Sequence, residues 1–159
     1  VLGAPAASAL TSRRAHVVLE ANLDDATGEI VAGAIETLLA EGALDAWAAP
    51  VTMKKGRPGV VLGVLCQASA AESLAGVMLR ETTTIGVRFT EVDRIERPRR
   101  TVEVDTPYGK IPLKIAEGPY GPAQIKPEWD ACAAAARAHG VPARVVIAAA
   151  LAAASERSR

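Results

Sequence analysis

The order of hydrophobic patterns between residues 16 and 95 restricts the fold of this chain more than any other feature. Continuous or alternating apolar runs predict strands, and apolar residues spaced three or four positions apart predict helices. Here they follow one another in the order strand, helix, strand, strand, helix, strand. This is the β-α-β-β-α-β order of the ferredoxin-like arrangement, with an antiparallel sheet and helices on one face. The sequence therefore predicts the α+β class.

Four strands are expected to form that sheet. They are predicted at residues 16–23, 44–51, 59–67 and 85–95. The run 59–67 is almost continuously apolar, which is typical of a strand in the centre of a sheet. The run 85–95 alternates, with Ile85, Val87 and Phe89 on one face.

The two helices are predicted at residues 27–43 and 69–81. Thr27 is expected to cap the first helix and Gly42 to end it. A capping box of Ser69 and Glu72 is expected to open the second. The apolar face of the first helix is predicted to contain Ile30, Ala34, Ile35, Leu38 and Leu39, and that of the second Leu74, Val77 and Met78.

A smaller unit is expected to follow the sheet. Two alternating runs joined by Pro107-Tyr108-Gly109 predict a β-hairpin. After it the sequence predicts a loop and two helices, the first with Pro127 at its first helical position. The expected ranges are 101–106 and 110–116 for the strands, 118–124 for the loop, and 127–140 and 142–154 for the helices.

These patterns divide the chain into three predicted segments. Residues 1–14 show no periodicity and are expected to be a disordered tail or a linker. Residues 15–98 are the predicted ferredoxin-like domain, and residues 99–155 the hairpin and helical subdomain. The subdomain is too small to fold well alone, so we expect it to pack on the first domain or on another subunit.

Charge and cysteine content narrow the function classes. The chain has 18 basic and 18 acidic residues, so its net charge is zero. This balance argues against a general nucleic-acid binder and against a polybasic membrane-surface protein. No signal peptide and no apolar run of spanning length is seen, so a cytoplasmic location is expected. The distant Cys66 and Cys132 are expected to be reduced thiols, not zinc ligands.

A short cationic turn lies between two apolar runs. Lys54, Lys55 and Arg57 fall within the stretch MKKGRPG, residues 53–59. One interpretation is an anion clamp, because these side chains offer positive charge and a planar fork of donors to a phosphate. The other is a solvated hairpin turn. Three cations without a nearby anion repel one another, which mildly favours the clamp.

Three carboxylates lie where the first strand meets the first helix. Asp24, Asp25 and Glu29 could supply oxygen ligands to magnesium or manganese. Acidic residues also favour helix N-termini electrostatically, so capping is the alternative. One cap needs one acceptor, and three acids exceed that need.

Two further segments contain candidate phosphate contacts. In RETTTIGVR, residues 80–88, Arg80 and Arg88 bracket the consecutive threonines 82–84. Hydroxyls, backbone amides and flanking arginines can surround phosphate or ribose oxygens. The alternative is an ordinary helix-to-strand connection. Lys126 precedes a predicted helix N-terminus, where an anion is favoured, although this can be an ordinary helix start.

Taken together, these motifs resemble one family. Their order is EANLDDxxxE, MKKGRPG, RETTTIGVR, YGK and IKPEWDxC. It is similar to the C-terminal domain of the LarC nickel-insertion proteins, over roughly residues 16–147. The resemblance implies a role in making the nickel-pincer nucleotide cofactor of lactate racemase and related enzymes.

The resemblance also implies a reaction, cofactors and partners. The family inserts nickel into a pyridinium bis-thiocarboxylate mononucleotide, forms a nickel–carbon bond as a cyclometallase, and depends on CTP with magnesium or manganese. Its C-terminal domain is associated with CTP binding and oligomer assembly. A complete member has a larger N-terminal domain with a His-rich region suited to nickel. That domain is expected to be missing here, so this chain is expected to be the nucleotide-binding part of the enzyme. The enzyme is also expected to be a homo-oligomer.

Roles for individual residues follow from the same resemblance. The expected phosphate and nucleotide contacts are Lys54, Lys55, Arg57, Arg80, Thr82, Thr83, Thr84, Arg88 and, more weakly, Lys126. The expected metal ligands are Asp24, Asp25 and Glu29. The sequence departs from the family at residues 26–28, where Ala, Thr and Gly replace a bulkier residue followed by Thr-Pro, so a looser metal geometry is expected.

Two other function classes compete with this interpretation. One is a non-catalytic ferredoxin-like regulatory module that binds a small anionic ligand and assembles subunits. The other is an RNA-binding ferredoxin-like domain, which needs aromatic side chains exposed on the sheet. The strands offer only Trp47 and Phe89 for that purpose, so the RNA-binding class is disfavoured.

Overall fold

A computed structural model describes residues 16–157 of the chain. The predicted tail at residues 1–14 lies outside the described residues. The chain divides into two compact units, of which the first ends at Ile95 and the second begins at Glu96. Each unit contains both strands and helices, and this confirms the predicted α+β class.

The first unit contains the expected four-stranded sheet. Its elements are β1 (His16–Leu23), α1 (Gly28–Ala40), β2 (Asp45–Thr52), β3 (Pro58–Gln67), α2 (Ala71–Glu81) and β4 (Arg88–Val92). The strand order is β2-β3-β1-β4, and every neighbouring pair is antiparallel. The apolar run of residues 59–67 therefore forms a central strand, as predicted.

One face of this sheet forms the core with both helices. Leu19, Ala21, Leu62 and Val64 are fully buried, and they pack with Leu38 of α1 and the buried face of α2. The predicted apolar face of α2 is confirmed, since Leu74, Val77 and Met78 are all buried. Burial of apolar area is the main source of stability here, at about 25 cal/mol per Å².

The buried face of α1 is rotated from the prediction. Val31, Ala34 and Leu38 are buried, whereas Ile30 and Leu39 are 40% and 46% exposed. Sequence spacing allowed either stripe, because apolar residues occupy more than one face of this helix. The contact with the sheet selects the stripe that contains Val31.

Two further details of the first unit differ from the sequence prediction. Ala70 occupies the cap position of α2 without a side-chain bond, and Ser69 lies in the preceding 3₁₀ turn, so the predicted capping box does not form. The last strand is shorter than predicted, because β4 pairs with β1 only from Arg88 to Val92. Ile85 lies before it and is fully exposed.

The second unit has three strands and two helices. Its elements are β5 (Arg99–Thr106), β6 (Gly109–Ala116), β7 (Gln124–Pro127), α3 (Trp129–His139) and α4 (Ala143–Arg157). The hairpin of β5 and β6 turns at Pro107 and Tyr108, as predicted. Val104, Ile111 and Leu113 pack with Cys132, Val146 and neighbouring alanines of the helices to form a separate core.

Strand β7 was missed by the sequence analysis. The sequence predicts a loop at residues 118–124 and a helix from residue 127, but residues 124–127 pair antiparallel with β6 from Leu113 to Ala116. Pro127 ends this strand and is not the first residue of α3, whose cap residue is Glu128. Proline is tolerated at this place because β7 is an edge strand.

The helices within residues 16–157 are all shorter than the roughly 20 residues that cross a bilayer. Within that range no single helix is long and apolar enough to cross a membrane. Helices α3 and α4 meet those requirements only as a pair, and they are bent by 117° at the break between them.

Candidate functional site

The junction between β1 and α1 connects two of the predicted polar segments. Arg57 donates from Nη1 to Oδ2 of Asp24 across 3.1 Å, and the hydroxyl of Thr83 donates to Oδ1 of Asp25. The carboxylates of Asp24 and Asp25 thus bond one residue of the cationic turn and one residue of the threonine connection, which is the segment of residues 82–87 between α2 and β4. All three segments therefore meet at one end of the first sheet.

Local structure explains why Asp24 and Asp25 face outward at this junction. Strand β1 ends at Leu23, and α1 starts after the cap residue Thr27, whose hydroxyl accepts from the backbone N–H of Ile30 at 3.5 Å. The predicted capping role of Thr27 is confirmed. The acids between strand and cap have no place in either element, so their carboxylates are available to other segments.

The cationic turn has an unusual backbone. Residues 54–56 form a single 3₁₀ turn, closed by hydrogen bonds between Met53 and both Gly56 and Arg57. Lys55 has φ of 63°, a left-handed conformation that non-glycine residues rarely adopt and that costs on the order of 1 kcal/mol. This conformation leaves Lys54, Lys55 and Arg57 all exposed on one short turn.

Glycine at position 59 brings this turn close to the junction. A Cβ at Gly59 would lie 2.7 Å from the carbonyl oxygen of Leu23 and 2.8 Å from the sulfur of Met53. Any side chain here would therefore push β3 away from the end of β1. The glycine keeps the cationic turn within reach of Asp24.

The three threonines are already hydrogen-bonded. Thr82 donates to the carbonyl of Met78 at 2.7 Å and accepts from the N–H of Thr84, while the hydroxyl of Thr84 donates to the carbonyl of Gly86 at 2.8 Å. These bonds shape the connection between α2 and β4. Only the hydroxyl of Thr83 is bonded to the acidic junction.

The two arginines of this segment have other acidic partners. Arg80 contacts Glu81 at 2.7 Å and Glu41 at 3.4 Å, and the hydrogen bond and charge of Glu81 raise the pKa of its guanidinium. Arg88 lies 3.7 Å from Glu20 on the sheet face that the helices leave open. The structure thus pairs both side chains with carboxylates other than Asp24 and Asp25.

Glu29 takes part in capping α1. Hydrogen bonds from its own backbone N–H and from the hydroxyl of Thr27 lower the pKa of its carboxyl group. This arrangement is the capping alternative that the sequence left open. Its predicted role as a metal ligand stays a prediction.

The three acids at the junction of β1 and α1 do not form a metal site by themselves. Among residues 16–157, no group of three or more His, Cys, Asp or Glu side chains could hold an ion. Magnesium usually binds one or two carboxylates together with waters and substrate phosphates. The predicted role of Asp24 and Asp25 as metal ligands therefore stays a prediction.

Lys126 belongs to the second unit. It lies on β7 directly opposite Lys114 of β6, and Lys114 is ion-paired with Glu128. Like charges directly opposite in a sheet are unfavourable, and the carboxylate of Glu128 offsets this repulsion. The predicted phosphate role of Lys126 stays a prediction.

An apolar groove next to Asp24 was missed by the sequence analysis. Its volume is about 400 Å³, and it is lined by Leu23, Asp24, Ala26, Gly28, Val31, Ala32, Ile35, Ala48, Pro58, Gly59 and Val60. The available signal was the small size of residues 28 and 32, one helical turn apart on α1. Small residues at that spacing leave room above the sheet.

Comparisons with known proteins place this chain in a class. The sequence model of the family described as "Nickel insertion protein" matches residues 3–147. A nickel insertion protein from Myxococcus xanthus is 47% identical over 136 residues, which are 86% of this chain and 35% of that relative. The chain therefore belongs to the nickel insertion protein family.

The part of the family that the chain represents follows from a solved structure. The structure is described as LarC2, the C-terminal domain of a cyclometallase involved in the synthesis of the NPN cofactor of lactate racemase. It matches at 38% identity and a TM-score of 0.81, over 88% of this chain and 96% of that one. This chain corresponds to that C-terminal domain, so the predicted resemblance is confirmed.

The chain is also similar to one further curated protein and to one further solved structure. The Thermotoga petrophila pyridinium-3,5-bisthiocarboxylic acid mononucleotide nickel insertion protein is 34% identical over 82% of this chain and 33% of its own length. Protein MK0293 from Methanopyrus kandleri matches at 32% identity and a TM-score of 0.61, over 89% of this chain and 87% of that one. The chain spans about a third of the length of the curated relatives it matches.

Proposed function

We propose that this chain is the CTP-binding domain of a nickel-insertion enzyme. One observation carries the proposal: the junction of β1 and α1 is bonded to the cationic turn through Asp24 and to the threonine connection through Asp25. Cations, hydroxyls and carboxylates that are far apart in sequence are therefore neighbours in space. Such a set suits a polyphosphate accompanied by a divalent cation.

The proposed mechanism of binding is an exchange of partners. Arg57 is 57% exposed in its ion pair with Asp24, and exposed pairs contribute only about 0–1 kcal/mol. A phosphate oxygen can therefore replace Asp24 as the acceptor of Arg57 at little cost. Asp24 and Asp25 then become free to bind the magnesium or manganese that the phosphates carry, while Lys54 and Lys55 neutralise the remaining charge.

The activity of the whole enzyme is proposed from the family. The substrate would be a pyridinium bis-thiocarboxylate mononucleotide, and nickel would be the metal inserted, with formation of a nickel–carbon bond. The relative from Thermotoga petrophila is named for that nucleotide, which supports this substrate. An additional N-terminal domain would supply the nickel ligands, and subunits like this one would form a homo-oligomer. No partner among nucleic acids or membranes is proposed, and the proposed location is the cytoplasm.

The experiment is a thermal shift measurement on the chain. With magnesium or manganese present, CTP is expected to raise Tm more than ATP or GTP does. A ligand at a hundred times its Kd stabilises the folded state by about 2.7 kcal/mol, which is measurable in a domain of this size. Absence of a shift with any nucleotide would favour the regulatory module that binds a different anion.

A matched pair of variants locates the site. Replacing Lys54, Lys55 and Arg57 with Ala is expected to abolish the shift without unfolding the protein, because all three side chains are exposed. The control replaces Arg99, Lys110 and Arg137 with Ala, which changes the net charge equally on exposed positions of the second unit. Loss of the shift in the control alone would move the site away from the cationic turn.

A further inference from the structure

We infer that the second unit contains a binding site for a short-chain aliphatic carboxylate, in a cavity between its sheet and α4. The cavity has a volume of about 210 Å³, and the residues that line it include Arg100 and Val102 of β5, Leu113 of β6, Ile125 of β7 and Ala154 of α4. All of these residues belong to the second unit. Binding at this cavity therefore does not depend on the function proposed for the first unit.

The cavity lies where the helix offers only a small side chain. Ala150 of α4 is fully buried in the core of the second unit, and Ala154, one helical turn further on, lines the cavity. Val102 and Ile125 lie on the sheet side of the cavity and are only partly buried. The single methyl group at position 154 thus leaves apolar surface of the sheet uncovered, and an alkyl chain that covered it would be stabilised by burial.

Arg100 interrupts an apolar stripe on β5. Side chains alternate between the two faces of a strand, so Arg100 lies on the same face as Val102 and the buried Val104. Its register partner on β6 is Ile115, which is only 9% exposed. A position that continues such a stripe is normally apolar. Among the described residues that line the cavity, Arg100 is the only charged one, so the cavity has an apolar body and one cationic group.

The present partner of Arg100 indicates which charge the site accepts. Its Nη2 donates to Oε1 of Glu117 across 3.0 Å, so a carboxylate already fits this position. The two side chains are 55% and 52% exposed, and exposed ion pairs are weak. A guanidinium has five N–H donors, so a ligand carboxylate can bind beside Glu117 or replace it. The alkyl chain of the ligand would then enter the cavity.

The volume of the cavity limits the length of that chain. It corresponds to about seven water molecules at the roughly 30 Å³ that each occupies in the liquid. It is smaller than the sites of drug-sized ligands, which begin at about 300 Å³. A carboxylate of about five or six carbon atoms therefore fits, with its carboxyl group at Arg100.

The first test varies the ligand. The complete chain is titrated with butanoate, pentanoate and hexanoate while NMR follows the methyl groups of valine, leucine and isoleucine. Hexanoate is expected to shift the signals of Val102, Leu113 and Ile125, and each added methylene is expected to tighten binding about fourfold. Hexylammonium, with the same chain and the opposite charge, is expected to bind at least about tenfold more weakly. No shift with hexanoate, or equal affinity for the three carboxylates, would overturn the inference.

The second test varies the protein. Ala154→Leu fills the cavity and is expected to abolish hexanoate binding without lowering Tm. Arg100→Gln is expected to weaken hexanoate binding by about tenfold or more and to leave the binding of hexan-1-ol, which has no charge, unchanged. The matched control is Arg99→Gln, which removes the same charge from the adjacent residue on the opposite face of the sheet.

Equal weakening of hexanoate binding by Arg99→Gln and Arg100→Gln would show that the carboxylate does not bind at the cavity. Melting curves without ligand verify that each variant is folded. If Ala154→Leu does not fold, the pair of arginine variants and the series of chain lengths still decide the outcome.

Discussion

At the residue scale, Thr27 shows how one side chain can end a strand connection and start a helix. Its hydroxyl accepts from the N–H of Ile30 and donates to the carboxylate of Glu29. Thr37 on the same helix bonds differently, because its hydroxyl donates to the carbonyl of Gly33 one turn back. The first arrangement satisfies a free helix donor, whereas the second adds a bond to a carbonyl that the helix already uses.

The two threonines give a matched prediction. Thr27→Ala is expected to lower the free energy of unfolding by about 0.5–1 kcal/mol, because the cap is lost. Thr37→Ala is expected to leave it unchanged or raise it slightly, since alanine has the higher helix propensity. Urea denaturation followed by circular dichroism measures both. Equal destabilisation by the two changes would show that the cap at Thr27 contributes nothing.

At the element scale, the open face of the first sheet is organised by the pairing of β2 with β3. Trp47 lies directly opposite Gly63 in the register, and its indole covers the glycine. A Cβ at Gly63 would lie 2.3 Å from the nearest indole atom. The glycine in the middle of a central strand, normally unfavourable there, makes room for this packing.

Gly63→Ala is therefore expected to displace the indole of Trp47 and to destabilise the unit by about 1–3 kcal/mol. Fluorescence emission measured in a Trp129→Phe background should shift to longer wavelength, because the indole becomes more exposed. The control is Gly76→Ala on the exposed side of α2, where a Cβ meets no atom within 4 Å. It is expected to stabilise the protein by about 0.5–1 kcal/mol. An unchanged emission spectrum in Gly63→Ala would contradict the stacking.

At the scale of the whole molecule, each unit has its own core and its own buried cysteine. Cys66 packs in the core of the first unit and Cys132 in the core of the second. Burial raises the pKa of both thiols, so little reactive thiolate forms in the folded protein. Each cysteine therefore reports the opening of one core.

Thiol labelling is expected to distinguish the two cores. Both cysteines should resist alkylation in the native protein, and mass spectrometry should show which one reacts as the protein opens. Leu19→Ala, at a cost of about 2–5 kcal/mol, should accelerate labelling of Cys66 more than that of Cys132. Leu113→Ala should have the reverse effect. The same acceleration of both cysteines by either change would show that the units open together.

Local patterns explain why much of the fold could be predicted. The order of strands and helices follows from hydrophobic periodicity, and the ends of α1 and α3 follow from Thr27 and from Gly140, whose φ of 65° suits glycine. These signals lie within a few neighbouring residues. The errors occurred where the outcome depends on distant partners: β7 exists because β6 pairs with it, and the sheet selects Val31 over Ile30 as the buried residue of α1.

In the candidate site, too, some features follow from the local sequence and others depend on contacts between distant segments. Its residue types, and the segments that contain them, could be recognised in the sequence, because phosphates and divalent cations require particular charges and oxygens. The meeting of Asp24 with Arg57 and of Asp25 with Thr83, and the groove between α1 and the β2–β3 edge, exist only in the folded chain. The reason is physical: periodicity and capping act over a few residues, whereas contacts between segments 33 and 58 residues apart depend on how the sheet and helices pack.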